Sequence, residues 1–102
     1  MATELQKAVW EKLKEIPEGR VTTYALLAKV VGKPKAVRAV ASAVGKNPDL
    51  VVVPCHRVVR SDGSVGQYAG GQDEKIKLLN KERVPVSSHN KINLQEHIFA
   101  FM

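Results

Sequence analysis

The chain has a single cysteine, Cys55, so an internal disulfide is excluded and a reducing compartment fits. No apolar stretch approaches the roughly 18–20 residues that cross a bilayer, which excludes a helical membrane span. The opening Met-Ala-Thr-Glu-Leu-Gln-Lys has no charged-then-apolar leader pattern, and secretion is not expected. His56, His89 and His97 with one cysteine offer no zinc-ligand spacing, so neither a metal nor a cofactor is expected. Internal repeats and low-complexity segments are absent. At 102 residues there is room for one domain with one modest core. Hydrophobic residues at 44% and charged residues at 25% are ordinary for a soluble globular domain.

Acidic residues are also scarce, but only locally. Lysine and arginine number 16 against 10 acidic residues, a net charge of +6. Between positions 20 and 60 Asp49 stands alone against eight basic residues, while residues 1–19 carry a net −1 and the remainder balances. The whole positive excess therefore lies in one segment. A polyanion, most simply nucleic acid, is the partner such a segment suits; an idle basic surface has the same composition.

Local signals divide the chain. Thr3 and Gln6 have capping-box spacing, and Leu5, Val9, Leu13 and Ile16, with Ala8 and Trp10, follow helical spacing until Pro17-Glu18-Gly19. Arg20–Thr22 suits a short extended piece. Thr22 or Thr23 can cap a second helix with Leu26, Leu27, Val30 and Val31 inward, and Gly32 suits its C′ position. Pro34 suits the first turn of a third helix ending near Gly45. Its inward stripe is Val37, Val40, Ala41 and Val44, which leaves Lys35, Arg38, Ala39 and Ser42 outward. That outer face is basic and small, as in a helix-turn-helix that approaches DNA closely; a plain packed helix pair has the same pattern. Asn47-Pro48-Asp49 reads as a turn and Leu50–Val53 as a buried strand ended by Pro54. Ser61–Ser64 reads as a turn, and Gly66, Gly70 and Gly71 mark a loop. A last helix runs from about Gln72 to Glu82 with Ile76 and Leu79 inward, and the tail carries little signal before Ile98-Phe99-Ala100-Phe101-Met102.

Chemistry concentrates at Pro54-Cys55-His56-Arg57-Val58. A thiol reacts as thiolate, which cations and a neighbouring base favour and burial opposes. His56 is the natural base, with a carboxylate behind it to orient the ring. On an extended strand Cys55 and His56 would face opposite ways, so cooperation requires a turn at Pro54 or a bridging water. A lone buried cysteine beside an unrelated histidine is the alternative.

These residues resemble the signature of the O6-alkylguanine-DNA alkyltransferases, the methylated-DNA–protein-cysteine methyltransferases. The resemblance extends in order through Val9-Trp10, Ile16-Pro17-x-Gly19-x-Val21-x-x-Tyr24, Lys33-Pro34-x-Ala36-x-Arg38-Ala39-Val40, Asn47-Pro48, Gly63, Gly66-x-Tyr68-x-Gly70-Gly71 and Lys75-x-x-x-Leu79-x-x-Glu82. It covers about residues 5–84.

The resemblance implies a mostly helical fold with a few short strands, the winged helix-turn-helix-like catalytic domain of that family. Residues 1–84 would form the domain; residues 85–102 do not match the family pattern, and their apolar end Ile98-Phe99-Ala100-Phe101 is expected to pack on the same domain, with an intermolecular contact or a frayed tail as the alternatives. Cys55 would accept the alkyl group from O6 of guanine (or O4 of thymine) in a single, irreversible turnover. His56, through a water, would take the thiol proton, with Glu82 holding the imidazole. Tyr24 would donate a hydrogen bond to the base, and Asn47 would tie the recognition helix to the reactive turn. The carbonyls of Cys55 and Val58 would read the guanine amine, and Tyr68, Ala69 and Gly70 would wall the pocket. Arg38 would fill the gap left by the flipped base. Lys33, Ala25, Ser61 and the small residues Ala36 and Ala39 would meet the minor-groove backbone. The implied partner is double-stranded DNA bearing O6-alkylguanine, met by a monomer in the cytoplasm at the nucleoid, with no membrane. The related alkyltransferase-like damage sensors replace the cysteine and do not transfer; a helix-turn-helix regulator is a third reading. Most members carry a further N-terminal domain, zinc-bearing in some, to which nothing in these residues corresponds.

Overall fold

The computed structural model describes residues 2–47, 49, 53–68 and 70–101. Helix α1 spans Glu4–Leu13, opened by the Thr3–Gln6 capping box with both reciprocal bonds formed. Its regular bonding stops earlier than Pro17. Glu15 and Ile16 donate to carbonyls three residues back, which tightens the chain into a turn before the proline. Val9, Leu13 and Ile16 are fully buried, as the helical spacing predicts.

Strand β1 (Thr22–Thr23) leads directly into α2 (Tyr24–Val30), whose N-cap is Thr23. The inward stripe of α2 differs from the expected one. Because the helix starts at Tyr24, positions three, four and seven on are Leu27, Ala28 and Val31. Leu27 and Ala28 are buried, whereas Leu26 is 37% exposed. Gly32 takes φ +79 just past the helix end, where only a residue without Cβ is unstrained.

Helix α3 spans Val37–Gly45 and does not begin at Pro34. The Ala36 N–H donates to the Lys33 carbonyl at 2.9 Å, a four-residue turn with Pro34 in its second position. The fixed φ of proline serves that turn rather than a helix start. Val40, Ala43 and Val44 face the core, and Arg38, Ala39 and Ser42 face outward as expected. The indole N–H of Trp10 donates to the Ala43 carbonyl at 2.8 Å and ties α1 to α3.

Of the expected strand Leu50–Val53, the first three residues lie outside the described residues; Val53 is buried in a bend. A 3-10 turn, Cys55–Arg57, is followed by β2 (Val58–Val59), which pairs parallel to β1 with Thr22 opposite Val58. Helix α4 (Gln72–Lys81) closes the reactive side, capped by Glu82. A short helix α5 (Leu94–His97), capped by Asn93, lies in the tail, which the sequence left without signal. The tail runs along β1: the Val21 N–H donates to His97 O and the Phe99 N–H to Val21 O, both at 2.8 Å. Two apolar clusters result. One joins α1, α2, α3 and the Cys55 turn, with Phe99 and Phe101 against it; the other gathers Val21, Val59, Val65, Leu79, Val84 and Ile92. Among the described residues no helix is long and apolar enough to cross a membrane.

Candidate active site

Backbone geometry at Pro54 decides where Cys55 points. Pro54 has φ −80 and ψ 67, and the Cys55 N–H donates to Val53 O at 2.8 Å. These are the values of an inverse γ-turn. The Arg57 N–H then donates to Pro54 O at 3.0 Å and the Val58 N–H to Cys55 O, completing the 3-10 turn. Cys55 and His56 are thus not on an extended strand and do not face opposite ways. Cys55 lines a cavity of about 440 Å³ beneath α3, with Tyr24, Arg38 and Tyr68 among its walls. His56 turns toward α4.

The imidazole is held from behind. His56 Nε2 lies 2.9 Å from Glu82 Oε2. Arg57 grips the same carboxylate with two N–H groups, Nε to Oε1 at 2.9 Å and Nη2 to Oε2 at 2.6 Å, and donates a third bond to Ile16 O. Burial pushes the Glu82 carboxyl up, but the bonds from Arg57 and His56 outweigh it and hold it below the usual range. Burial pulls His56 below its ordinary value, against the opposing pull of Glu82. A neutral ring beside an ionised Glu82 carries its proton on Nε2. Nδ1 is then the basic nitrogen, and it is buried with no hydrogen-bond partner among the described residues.

Asn47, Lys75, Tyr24 and Tyr68 surround the thiol, itself 3% exposed. Burial pushes the Cys55 thiol up, while a hydrogen bond from Asn47 and the charge of Lys75 pull it down. Asn47 also donates to Val53 O at 2.8 Å and accepts from the Asp49 N–H at 2.9 Å, so it links the end of α3 to the reactive turn. Tyr24 is raised by burial and then by the neighbouring Cys55. Tyr68 meets the His56 ring edge-on at 6.4 Å. A methyl group at Gly70 would lie 2.9 Å from the Tyr68 ring, so only glycine leaves that ring in place. Ala69 lies outside the described residues.

Ala25, Lys33, Arg38, Ala39 and Ser61 are exposed and Ala36 is half-buried; Arg38 alone of these also lines the cavity.

Sequence reasoning overlooked Lys75 and Arg60 as site residues. Lys75 is fully buried, and its Nζ donates to Val58 O at 2.6 Å and to Gln67 O at 3.0 Å. It also lies 5.9 Å from the centre of the Tyr24 ring. The available signal was its place four residues before Leu79 on the inward stripe of α4, where a lysine is out of character. Arg60 lines the cavity from the turn after β2. Among the described residues no cluster of three or more histidine, cysteine or acidic side chains has the form of a metal site.

The chain as a whole is similar to known proteins. The methylated-DNA–protein-cysteine methyltransferase of Methanosarcina acetivorans is 51% identical over 80 residues, 78% of this chain and 51% of the relative. A Mycobacterium tuberculosis OGT crystallised with DNA superposes with TM-score 0.78 at 41% identity, over 81% of this chain and 51% of that one. Schizosaccharomyces pombe Atl1, in complex with damaged DNA containing O6-carboxymethylguanine, matches with TM-score 0.83 at 30% identity, over 98% of this chain and 99% of that one. The chain spans from about a quarter to about half the length of the curated relatives it matches. Residues 4–84, which include Tyr24, Asn47, Cys55, His56 and Glu82, match the family described as "6-O-methylguanine DNA methyltransferase, DNA binding domain". With that match spanning most of the chain, the protein belongs to the 6-O-methylguanine DNA methyltransferase family.

Proposed function

We propose that this chain is the catalytic domain of a DNA-repair alkyltransferase, moving the alkyl group from O6 of guanine irreversibly to Cys55. The observation that carries this reading is the turn that opens Cys55 to the cavity beneath α3 while His56 reaches Glu82 at 2.9 Å with Nδ1 left basic. The exposed face of α3 enters the minor groove, where the small Ala39 and Ser42 allow close approach. Lys33, Ser61 and the backbone at Ala25 meet phosphates or sugars, contacts that carry no sequence preference. A base inside a duplex is unreachable, so it is flipped into the cavity at a cost of a few kcal/mol, and Arg38 fills the gap.

The thiol passes its proton through a water to His56 Nδ1, and Glu82 stabilises the imidazolium. The sulfur attacks the alkyl carbon, an S–C bond forms, the C–O6 bond breaks and its electron pair stays on the base. The base regains one proton, with Tyr24 placed to donate a hydrogen bond as charge develops. Alkylguanine and thiol thus become guanine and thioether, and the protein acts once. The carbonyls of Cys55 and Val58 each accept one hydrogen bond already, from the Val58 N–H and from Lys75, and keep a second lone pair for the guanine amine. The protein works as a monomer without metal or cofactor, with residues 85–102 stabilising the domain.

Incubation with excess duplex containing O6-methylguanine should convert the intact mass to that of a protein with one methyl group on Cys55. Unmodified protein after complete mixing would refute transfer. The likeness to Atl1 along nearly the whole chain favours a second reading, a damage sensor that binds without transferring. Retention of Cys55 speaks against it, and Cys55→Ala separates the two: binding should persist while transfer is lost. A sequence-specific regulator would instead discriminate between unrelated duplexes of equal length.

A further inference from the structure

Among the described residues the cavity that holds Cys55 is walled by two guanidinium groups, Arg38 from α3 and Arg60 from the turn after β2, and by no carboxylate. In the proposed reaction Arg38 leaves to enter the duplex. Arg60 has no such task. A methyl group at Gly66 would lie 3.5 Å from both Cγ and Nε of Arg60 and 3.8 Å from Lys75 Nζ. The arginine stem therefore rests on a bare glycine backbone, above the wall that Lys75 supports from inside. Its charge reaches the interior, since it lowers both Tyr24 and Lys75 behind the larger effects of burial. Asp62 accepts from the Ser64 N–H and hydroxyl, Glu82 is held by Arg57 and His56, and Glu74, whose charge acts on Tyr68, does not itself line the cavity. No carboxylate pairs with Arg60 among the described residues.

A cation with no carboxylate partner among the described residues, on the rim of a reactive cavity that none of their carboxylates lines, selects for an anion in that cavity. We propose that Arg60 adapts the pocket to O6-adducts that end in a carboxylate, of which carboxymethyl is the smallest. This rests on the transfer reading above. At about 440 Å³ the cavity lies within the roughly 300–1,000 Å³ of small-molecule sites, enough for a base with an extended substituent. The chemistry is the one already balanced: the sulfur takes the methylene carbon, C–O6 breaks, and the carboxylate remains unchanged on the new thioether, beside Arg60.

The test measures transfer rates to the full chain from duplexes of one sequence carrying either O6-methylguanine or O6-carboxymethylguanine. Arg60→Gln should slow carboxymethyl transfer about fivefold more than it slows methyl transfer, the scale of an exposed ion pair. Arg60→Lys, which keeps the charge, should recover most of the carboxymethyl rate. An equal loss on both substrates makes Arg60 a phosphate contact and overturns the proposal, as does no loss on either. Methyl transfer with no carboxymethyl transfer in the unaltered protein also overturns it while leaving the transfer reading intact. Absence of transfer from both duplexes refutes the transfer reading itself.

Discussion

Replacing Lys75 by methionine exchanges a buried ammonium for an apolar chain of similar length, and the outcome should depend on pH in a definite direction. Burial lowers Lys75 from its ordinary 10.5 to about 8. Below about pH 8 the amine is charged in both folded and unfolded chains. Between 8 and 10.5 the folded protein has released the proton and the unfolded chain has not. The unfolded state then binds more protons, so this group makes stability rise with pH across that window. At about 1.36 kcal/mol per tenfold change, the span from 10.5 to about 8 amounts to about 3 kcal/mol. The two hydrogen bonds survive deprotonation, because a neutral amine keeps two N–H groups for Val58 O and Gln67 O. Methionine removes the cost of burying charge but leaves two carbonyls unpaired, at about 1–3 kcal/mol each. Near pH 7 these effects offset, and Lys75→Met should lie within about 2 kcal/mol of the parent by urea unfolding under reducing conditions. At pH 10.5 the offset is gone, and the deficit should have grown by about 3 kcal/mol. Cys55 and Tyr24, both raised by burial, lower stability as pH rises, so only the difference between the two proteins isolates the lysine. Difference curves that stay flat from pH 7 to 10.5 would refute the argument.

Three further substitutions separate stability from chemistry. Arg38→Ala removes an exposed side chain, so unfolding should change by less than about 0.5 kcal/mol, while transfer, followed by intact mass, slows strongly; a normal rate would show that this arginine does not support the flipped state. Arg83, at φ 68, sits in the left-handed region just past α4, and Arg83→Gly should stabilise by about 0.5–1 kcal/mol in thermal unfolding, relief of strain outweighing the added chain entropy. Gly70→Ala drives a methyl group to 2.9 Å from the Tyr68 ring, so transfer should slow by more than the loss in melting temperature explains; an unchanged rate would remove Tyr68 from the pocket wall.

What the sequence disclosed, it disclosed through short-range rules. Thr3 and Gln6 cap each other across three residues, Gly32 ends α2 because only glycine takes φ +79 there freely, and the phase of α3 alone put Arg38 outward. Cys55, His56, Asn47, Tyr24 and Glu82 were named together through a family resemblance, because residues up to 58 positions apart announce no contact by themselves. What escaped depended on partners distant in sequence. Lys75 reads as an ordinary surface lysine until the carbonyls of Val58 and Gln67 are placed against it. Pro34 suits a helix start equally well until the Ala36–Lys33 bond makes it a turn residue. The tail looked featureless because its order comes from bonds to Val21, not from its own periodicity.

The same long-range contacts explain how a nearly inaccessible thiol can be the reactive group. Burial favours neutral sulfur and neutral imidazole, and at the ring the charges of Arg57 and Lys75 act in the same direction. Against it stand Asn47 and Lys75 at the thiol and Glu82 at the ring, each favouring the charged form. These groups arrive from the end of α3, from α4 and from the cap of α4, so the ionisation of Cys55 is set by how those elements pack on the 3-10 turn. A flipped base filling the cavity would expel solvent from between them and strengthen every one of these interactions at once. Under the proposed reaction, activation of the sulfur and arrival of the substrate then become one event, as a transfer that happens once per molecule requires.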